Sequence, residues 1–295
     1  MTLIDLITAQ SARLKQAGVS FGHGTGNAFD EAAWLVLWAL GMPFDALEAK
    51  AQQELTPDEQ AKAEALVTTR IETRQPAAYL TREAWLQNVP FYVDERTIVP
   101  RSFIAELLAD GEQTGTLDAW LSDTTHRVLD LCTGNGSLAV IAAMAYPDVT
   151  VDAVDVSEDA LAVARINVDK HTLGQRITLL QSDLLGAVRG PYDLILCNPP
   201  YVNSQSMQAL PPEYLAEPAL ALAGGEDGMD LVRRILREAP KHMTVDAVLV
   251  LEIGNERAHF EHAFRRLEVA WLDTSAGDDQ VLLVSREALA KYRWT

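Results

Sequence analysis

The fold is decided by the segment VLDLCTGNGSLAVIAAMAYPDVTVDAVD, which occupies positions 128–155. The apolar run from Val128 to Cys132 has the length of a buried strand, and the loop Gly134-Asn135-Gly136 ends it. A helix that continues through Tyr146 and a second strand from Thr150 to Val154 follow. Two strands separated by one helix predict a parallel pair, with the helix packed on a face of the sheet.

The same alternation continues through the rest of the chain. Ser157 is suited to cap the helix after the second strand. Parallel strands joined by helices predict an α/β fold with a doubly wound, Rossmann-like sheet of about seven strands, including an antiparallel strand near the end. Ligands bind such sheets at the carboxyl ends of the strands, near the point where the strand order reverses. Further strands are predicted at Ile177 to Gln181, Asp193 to Cys197, Ala247 to Ile253 and Val281 to Ser285, with a helix from Glu256 to Leu267.

Residues 1–84 lack strand alternation and predict a small helical domain. Asn27 is suited to cap one of its helices. In Thr56-Pro57-Asp58-Glu59, the threonine caps a second helix, the proline takes the first helical position and the glutamate completes a capping box. Residues 85–100 combine apolar alternation with turn residues and predict a β-hairpin linker. The remaining residues, 101–295, form the predicted catalytic domain.

Acidic residues and glycines follow the first three predicted strands. Asp155 closes the second strand, where a carboxylate can accept both hydroxyls of a ribose. Asp183 follows the third strand, where it can accept an adenine amino group. The glycine spacing also fits the dinucleotide fingerprint, so a nicotinamide cofactor is an alternative at this point. The predicted cofactor-binding residues are Asp130, Cys132, Thr133, Gly134, Asn135, Gly136, Asp155, Asp183, Leu184 and Asn198.

The sequence Asn198-Pro199-Pro200-Tyr201, at the end of the fourth predicted strand, discriminates between these cofactors because a dehydrogenase has no need for it. The lone pair of an amide or aromatic amine nitrogen is delocalised, so a site that methylates it must hold its N–H groups. The Asn198 side-chain oxygen and the Pro199 carbonyl can each accept one, in a backbone that prolines fix in advance. Tyr201 can pack on the flat face of the acceptor. The loop predicts methyl transfer from S-adenosylmethionine, with Asn198, Pro199, Pro200 and Tyr201 as catalytic residues.

The charge balance limits the expected partners. The chain has 42 acidic residues against 24 lysines and arginines, a formal net charge of -18. An acidic surface repels phosphates, so direct binding to DNA is not expected. It would attract a basic protein. On charge alone, improved solubility is the simpler explanation.

No metal site, membrane span or export signal is expected from the sequence. His259 and His262 lie with Glu261 on one predicted helix, which is more typical of a solvated face than of a metal site. The apolar run from Leu138 to Tyr146 is too short to span a membrane. The N-terminus lacks a basic stretch followed by an apolar run. The expected location is the cytoplasm.

Several segments resemble the HemK-type glutamine methyltransferases, which methylate a glutamine side-chain amide in proteins of the translation machinery. The resemblance implies a class I methyltransferase sheet, S-adenosylmethionine as cofactor and an N-terminal domain that recognises the substrate protein. Cys132 is a departure, because the family loop often has glycine there. The resemblance rests on Pro76-Ala77-Ala78-Tyr79-Leu80, Ile98-Val99-Pro100-Arg101, Asp130 to Gly136, Glu217-Pro218-Ala219-Leu220, Gly224-Gly225-Glu226-Asp227-Gly228 and Leu251-Glu252-Ile253-Gly254.

Two branches of this family differ in substrate: one acts on peptide-chain release factors and the other on the third protein of the large ribosomal subunit. After Pro100-Arg101, the release-factor branch tends to have proline and an acidic-threonine pair. The sequence here, Ser102-Phe103-Ile104-Ala105-Glu106, is similar to the ribosomal-protein branch. Gly22 to Asn27, otherwise a flexible glycine-rich loop before a helix, also resembles that branch. Release-factor methylation and adenine methylation in nucleic acid remain alternatives, as does a cofactor-binding module without catalysis.

Overall fold

The computed structural model describes residues 1–108 and 117–294. The first 81 residues contain five helices, and α2 packs between α1 and α4 around a core that includes Leu6, Leu35 and Val67. The capping box predicted at Thr56 is present, and the Asn27 side chain accepts from two backbone N–H groups of its helix. The bounds are α1 (Leu3–Gln16), α2 (Ala28–Ala39), α3 (Ala46–Lys50), α4 (Pro57–Thr73) and α5 (Ala77–Thr81).

The linker hairpin is shorter than predicted. Strand β1 (Ala84–Leu86) pairs antiparallel with β2 (Val89–Phe91), and the strand ends there rather than near residue 100. Beyond β2, the Asp94 carboxylate accepts the backbone N–H of Arg96 and forms a turn. The Val99 N–H bonds to the side chain of Glu217 instead of to a neighbouring strand. These side-chain bonds replace the ladder that apolar alternation alone predicts.

Among the described residues, seven strands form one sheet in the order β5-β4-β3-β6-β7-β9-β8, as predicted for the fold class. The first five in this order are parallel, and β9 and β8 are antiparallel to their neighbours. The order reverses between β3 and β6, so the crevice for a ligand is expected at their carboxyl ends. The bounds are α6 (Ile104–Leu108), β3 (Arg127–Leu131), α7 (Ser137–Ala145), β4 (Thr150–Asp155), α8 (Glu158–Lys170), β5 (Ile177–Gln181), β6 (Tyr192–Cys197), α9 (Ser204–Ala209), α10 (Asp230–Glu238), β7 (Met243–Glu252), α11 (Arg257–Ala263), β8 (Ala270–Thr274), β9 (Gly277–Ser285) and α12 (Arg286–Lys291).

Helices cover both faces of the sheet. Val128 of β3 belongs to a core shared with α6 and α7, whereas the next residue, Leu129, belongs to the core shared with α10 and α12 on the other face. This alternation along one strand follows from the period of two. The second core includes Leu131 and Cys197, at the carboxyl ends of β3 and β6, and the first includes Leu196. The backbone from which the loops project is therefore packed on both faces.

Two predictions near the C-terminus were inaccurate. Strand β8 was not predicted, because this edge strand is half-exposed and has no continuous apolar run. The helix predicted from Glu256 to Leu267 ends at Ala263, and Arg266 adopts a positive φ of 70°. In the described part of the chain, no helix has both the length and the apolar character needed to cross a membrane.

Candidate active site

A cavity of about 350 Å³ opens at the carboxyl ends of β3, β4 and β6, where the strand order reverses. Its volume lies in the range of small-molecule sites. The cavity collects residues from loops that the sequence separates by tens of positions. Among the residues predicted to bind cofactor or act in catalysis, those lining it are Cys132, Gly134, Asp155, Asp183, Leu184, Asn198 and Pro200.

The glycine loop provides a backbone wall of the cavity. Gly134 has a φ of 55°, and the space beside its α-carbon is open, so this wall carries no side chain. Gly136 serves packing instead, because a Cβ atom there would lie 3.1 Å from the Cβ of Ala164 in α8. The turn therefore brings helix α8 close while leaving the cavity open at Gly134.

Asp130 lies behind the loop rather than on the cavity wall. Its buried carboxylate accepts the Thr133 hydroxyl and the backbone N–H of Ala139, which fastens the loop to α7. Burial raises the pKa of Asp130 to about 7. Thr133, Asn135 and Gly136, predicted with Asp130 as cofactor-binding residues, also lie outside the cavity lining. Their observed contacts support the shape of the loop.

Asp155 lies on the cavity wall and has its carboxylate oriented by backbone groups. One oxygen accepts the N–H of Gly134 at 2.9 Å, and the other accepts the N–H of Ser157 at 2.9 Å. Burial raises its pKa. Each oxygen has a further lone pair, so this side chain can accept the hydroxyls of a ribose. Asp183, in contrast, is exposed at the cavity rim, where it pairs with Arg234 at 2.9 Å.

The loop Asn198-Pro199-Pro200-Tyr201, called the acceptor loop, leaves two hydrogen-bond acceptors free. Within residues 1–108 and 117–294, neither the Asn198 side chain nor the Pro199 carbonyl has a hydrogen-bond partner. Asn198 and Pro200 line the cavity, whereas Pro199 and Tyr201 do not. The Tyr201 hydroxyl lies 3.5 Å from Oε1 of Glu252.

Sequence reasoning missed one wall of the cavity. Residues 213–222, called the wall segment below, contribute Pro218, Leu220 and Ala221 to the lining. The linker contributes Arg96, Thr97 and Ile98. Within the wall segment, only Glu217-Pro218-Ala219-Leu220 was noted from the sequence, and only because it resembles the HemK-type family. Its apolar residues carry no signal of a binding role in the sequence.

Two buried glutamates fix the wall segment. Arg101 donates to both oxygens of Glu217 at 2.6 and 2.7 Å, and Val99 N–H bonds to the same side chain. Burial raises the pKa of Glu217, but the Arg101 guanidinium outweighs burial and holds it at about 2. Glu213 accepts hydrogen bonds from Arg70 and Arg74 of the helical region. The wall segment is thus anchored both to the linker and to the N-terminal helices.

The glycine-rich loop from Gly22 to Asn27 also packs against the wall segment. A Cβ atom at Gly22 would lie 2.8 Å from the Tyr214 hydroxyl oxygen. The ring of His23 is buried, with its centroid 4.3 Å from that of Tyr214. The loop predicted to be flexible is therefore a packed contact between the N-terminal region and the cavity wall.

Comparison with known proteins agrees with this geometry. Residues 5–81 match the PrmC N-terminal domain family, and residues 113–226 match the Methyltransferase small domain family. The chain is 54% identical over 291 residues to the ribosomal protein uL3 glutamine methyltransferase of Bordetella pertussis, a match covering 98% of the chain and 96% of the relative. It is 52% identical over 296 residues to the protein of that name from Burkholderia pseudomallei, covering 98% and 95%. The chain belongs to the uL3 glutamine methyltransferase family.

The catalytic domain of hMettl16, solved in complex with a 3′UTR hairpin, superposes with a TM-score of 0.51 at 13% identity, over 78% of this chain and 81% of that one. This likeness shows the class I methyltransferase fold alone. Membership of the uL3 glutamine methyltransferase family makes S-adenosylmethionine the methyl donor. The cavity fits this cofactor, because Asp155 is oriented to accept a ribose and Gly134 leaves room beside it. When bound, the cofactor supplies an electrophilic methyl group.

Metal ligation has no support in the described residues, among which no three His, Cys, Asp or Glu side chains are grouped to hold an ion. His259, considered above with His262, instead lies 2.6 Å from the carboxylate of Glu256. Glu256 also accepts the side-chain amide of Asn203 at 2.7 Å. These contacts connect α11 to the loop after Tyr201.

Proposed function

We propose that this protein transfers the methyl group of S-adenosylmethionine to the side-chain amide nitrogen of a glutamine in ribosomal protein uL3. The relatives that carry this activity in their names match almost the whole chain at 54% and 52% identity. The observation that carries the chemistry is the free Asn198 side chain on the cofactor cavity, next to a free Pro199 carbonyl.

The acceptor loop supplies orientation rather than a base. The glutamine amide donates one N–H to the Asn198 side-chain oxygen and the other to the Pro199 carbonyl, so that the nitrogen faces the methyl group. As the nitrogen gains positive charge, both acceptors bind it more tightly, which is the differential binding that catalysis requires. Holding the nitrogen and the methyl group in line can contribute about 7–11 kcal/mol through proximity. The proton leaves after transfer, so no residue needs to remove it beforehand.

Substrate recognition is assigned to the N-terminal part of the chain. The proposed organisation is a helical recognition domain over residues 1–84, a linker over 85–100 and a methyltransferase domain over 101–295. The net charge of -18 supports a basic substrate protein. Since ribosomal proteins are made in the cytoplasm, this location follows from the proposed substrate.

The test is to incubate the purified protein with methyl-labelled S-adenosylmethionine and an extract of cells that lack it. The expected result is one labelled band, uL3, with the label on a glutamine in peptide mass spectrometry. Purified uL3 should be labelled in the same way. A labelled release factor would contradict the substrate assignment, and labelled nucleic acid would contradict the class of acceptor.

A further inference from the structure

Tyr201, the last residue of the acceptor loop, is enclosed by glycines. A Cβ atom at Gly254 would lie 2.5 Å from Cε2 of Tyr201, so the ring packs directly on the Gly254 backbone. A Cβ atom at Gly228 would lie 2.2 Å from the Tyr201 carbonyl oxygen. The tyrosine hydroxyl is directed at Oε1 of Glu252, 3.5 Å away at the end of β7. The ring position is therefore set by β7 and the turn that follows it.

Glu252 is itself held by the start of the catalytic domain. Its other oxygen, Oε2, accepts the Ser102 hydroxyl at 2.6 Å and the Phe103 N–H at 2.9 Å. Ser102 Oγ in turn accepts the N–H of Ile104 at 3.2 Å. One carboxylate oxygen is thus occupied by Ser102 and Phe103, while the second is left for Tyr201. Glu252 is 2% exposed, so water cannot easily replace either contact.

We propose that Glu252 is a positioning residue for methyl transfer, whose ionised carboxylate accepts the Tyr201 hydroxyl and fixes the ring beside the acceptor amide. This inference rests on the proposed function. Glu252 acts through Tyr201 and does not line the cofactor cavity. A carboxylate is a stronger acceptor than a neutral carboxylic acid, so protonation of Glu252 loosens the ring.

The surroundings of Glu252 place this protonation close to neutral pH. Burial raises the pKa of Glu252 to about 7, against the opposing bonds from Ser102 and the Phe103 N–H and the nearby charge of Arg101. The titratable groups that face it are Arg101, Tyr201 and Cys197. Arg101 stays charged across this range. The ordered form of Tyr201 should therefore decline as the pH falls through about 7.

The experiment measures kcat for labelling of uL3 at saturating cofactor, from about pH 5.5 to 9, for the wild type, Glu252→Gln, Tyr201→Phe and the double variant. In Glu252→Gln, the amide oxygen must face Ser102 and the Phe103 N–H, because both are donors. Its NH₂ group then faces Tyr201 and cannot accept the hydroxyl. Tyr201→Phe removes the hydroxyl and keeps the carboxylate.

The wild type should lose activity below pH 7, a decline called the acidic limb of its pH profile. Each single variant should lack this acidic limb. At pH 8, each should show roughly 10-fold lower kcat, with KM for the cofactor unchanged. The double variant should be no slower than either single one. Persistence of the acidic limb in Glu252→Gln, as expected if Asp130 caused it, would overturn the proposal. A double variant whose loss is the product of the single losses would also do so.

If Glu252→Gln does not fold, as judged by circular dichroism, the pH profile of Tyr201→Phe tests the proposal alone. An acidic limb that stays in this variant shows that Glu252 does not act through the tyrosine. Failure of the proposed function is distinguishable, because the wild type would then label no uL3 at any pH.

Discussion

Nη1 of Arg70 lies 3.2 Å from Oε1 of Glu213, a residue 143 positions further along the chain. Arg70 also bonds to Glu31 at 2.8 Å and to the Ser20 carbonyl at 2.9 Å, and both it and Glu213 are fully buried. The guanidinium therefore has partners of opposite charge from two parts of the molecule. Its removal leaves Glu31 and Glu213 as buried carboxylates without their main partner.

Arg70→Ala should lower the free energy of unfolding by about 3–5 kcal/mol, the cost of leaving buried charges unpaired. Urea titration followed by circular dichroism measures it. Arg74→Ala is the matched control, because Arg74 also bonds to Glu213 but its side chain is 30% exposed. An equal loss in the two variants would show that the buried pairing of Arg70 contributes nothing specific.

Asn198→Ala should reduce kcat for uL3 methylation by roughly 100- to 1000-fold, the loss seen when one oriented group at a reaction centre is removed. Cofactor binding should persist, because Asp155 and Gly134 still line the cavity. Transfer of labelled methyl and calorimetric titration of the cofactor measure the two properties. Asn203→Ala, five residues later, is the control, since Asn203 caps α9 and bonds to Glu256. Undiminished turnover in Asn198→Ala would refute the catalytic role.

Asp155→Asn should weaken cofactor binding by about 10-fold or more, because one acceptor of a ribose hydroxyl becomes a donor. Calorimetric titration with S-adenosylmethionine measures the dissociation constant. Asp152→Asn serves as the control on the same strand. Asp152 accepts from Arg127 and Tyr192 and lies outside the cavity lining, so its variant should bind the cofactor normally. Equal affinities in the two variants would contradict the ribose assignment.

Asp130 should make the folded state less stable as the pH rises from about 4 to 7. Its pKa is about 7 when folded and 3.8 ordinarily, so the folded state binds more protons in this window. The stabilisation by the protonated Asp130 is complete below pH 3.8 and is lost as the pH rises through about 7. Between pH 4 and 7, the unfolding temperature of Asp130→Asn should fall less steeply with pH than that of the wild type. Adding Glu252→Gln should reduce the pH dependence of the unfolding temperature further. If the double variant kept the pH dependence of the wild type, neither carboxyl group would be its source.

Gly254→Ala should reduce methylation by more than roughly 10-fold while the protein remains folded, because the new methyl group would displace the Tyr201 ring. Its φ of 52° adds local strain. Gly18→Ala controls for that strain, since Gly18 has a φ of 59° and open space around it. Comparable activity in the two variants would show that the Tyr201 position is not critical.

The fold could be predicted because its signals are local. Apolar runs, caps and glycine turns predicted the helical region and the parallel strands, while the half-exposed edge strand β8 gave no such signal. The directions of the side chains near the strand ends were harder to predict. Asp130 lies within the first predicted strand and Asp155 closes the second, yet Asp130 lies behind the glycine loop and Asp155 on the cavity wall. A shift of one residue in a strand reverses the face, and the sequence does not define strand ends that finely.

The contacts of the wall segment could not be predicted at all. Glu217 meets Arg101 across 116 residues, and Glu213 meets Arg70 across 143. Such pairings depend on the completed fold and leave no periodic pattern in the chain. Glu252 was accessible in principle, because it is a charged residue at the end of an apolar strand, the same signal that singled out Asp155.

The anchoring of the wall segment to the N-terminal helices has a consequence for how this enzyme can diverge. The region that we propose to recognise the substrate also holds one side of the cofactor cavity, through Arg70 and Glu213. New specificity acquired by exchanging the first 84 residues would alter cofactor affinity too, unless both partners of each buried ion pair were inherited together. We therefore expect the two regions to be exchangeable only together, although they match two separate domain families.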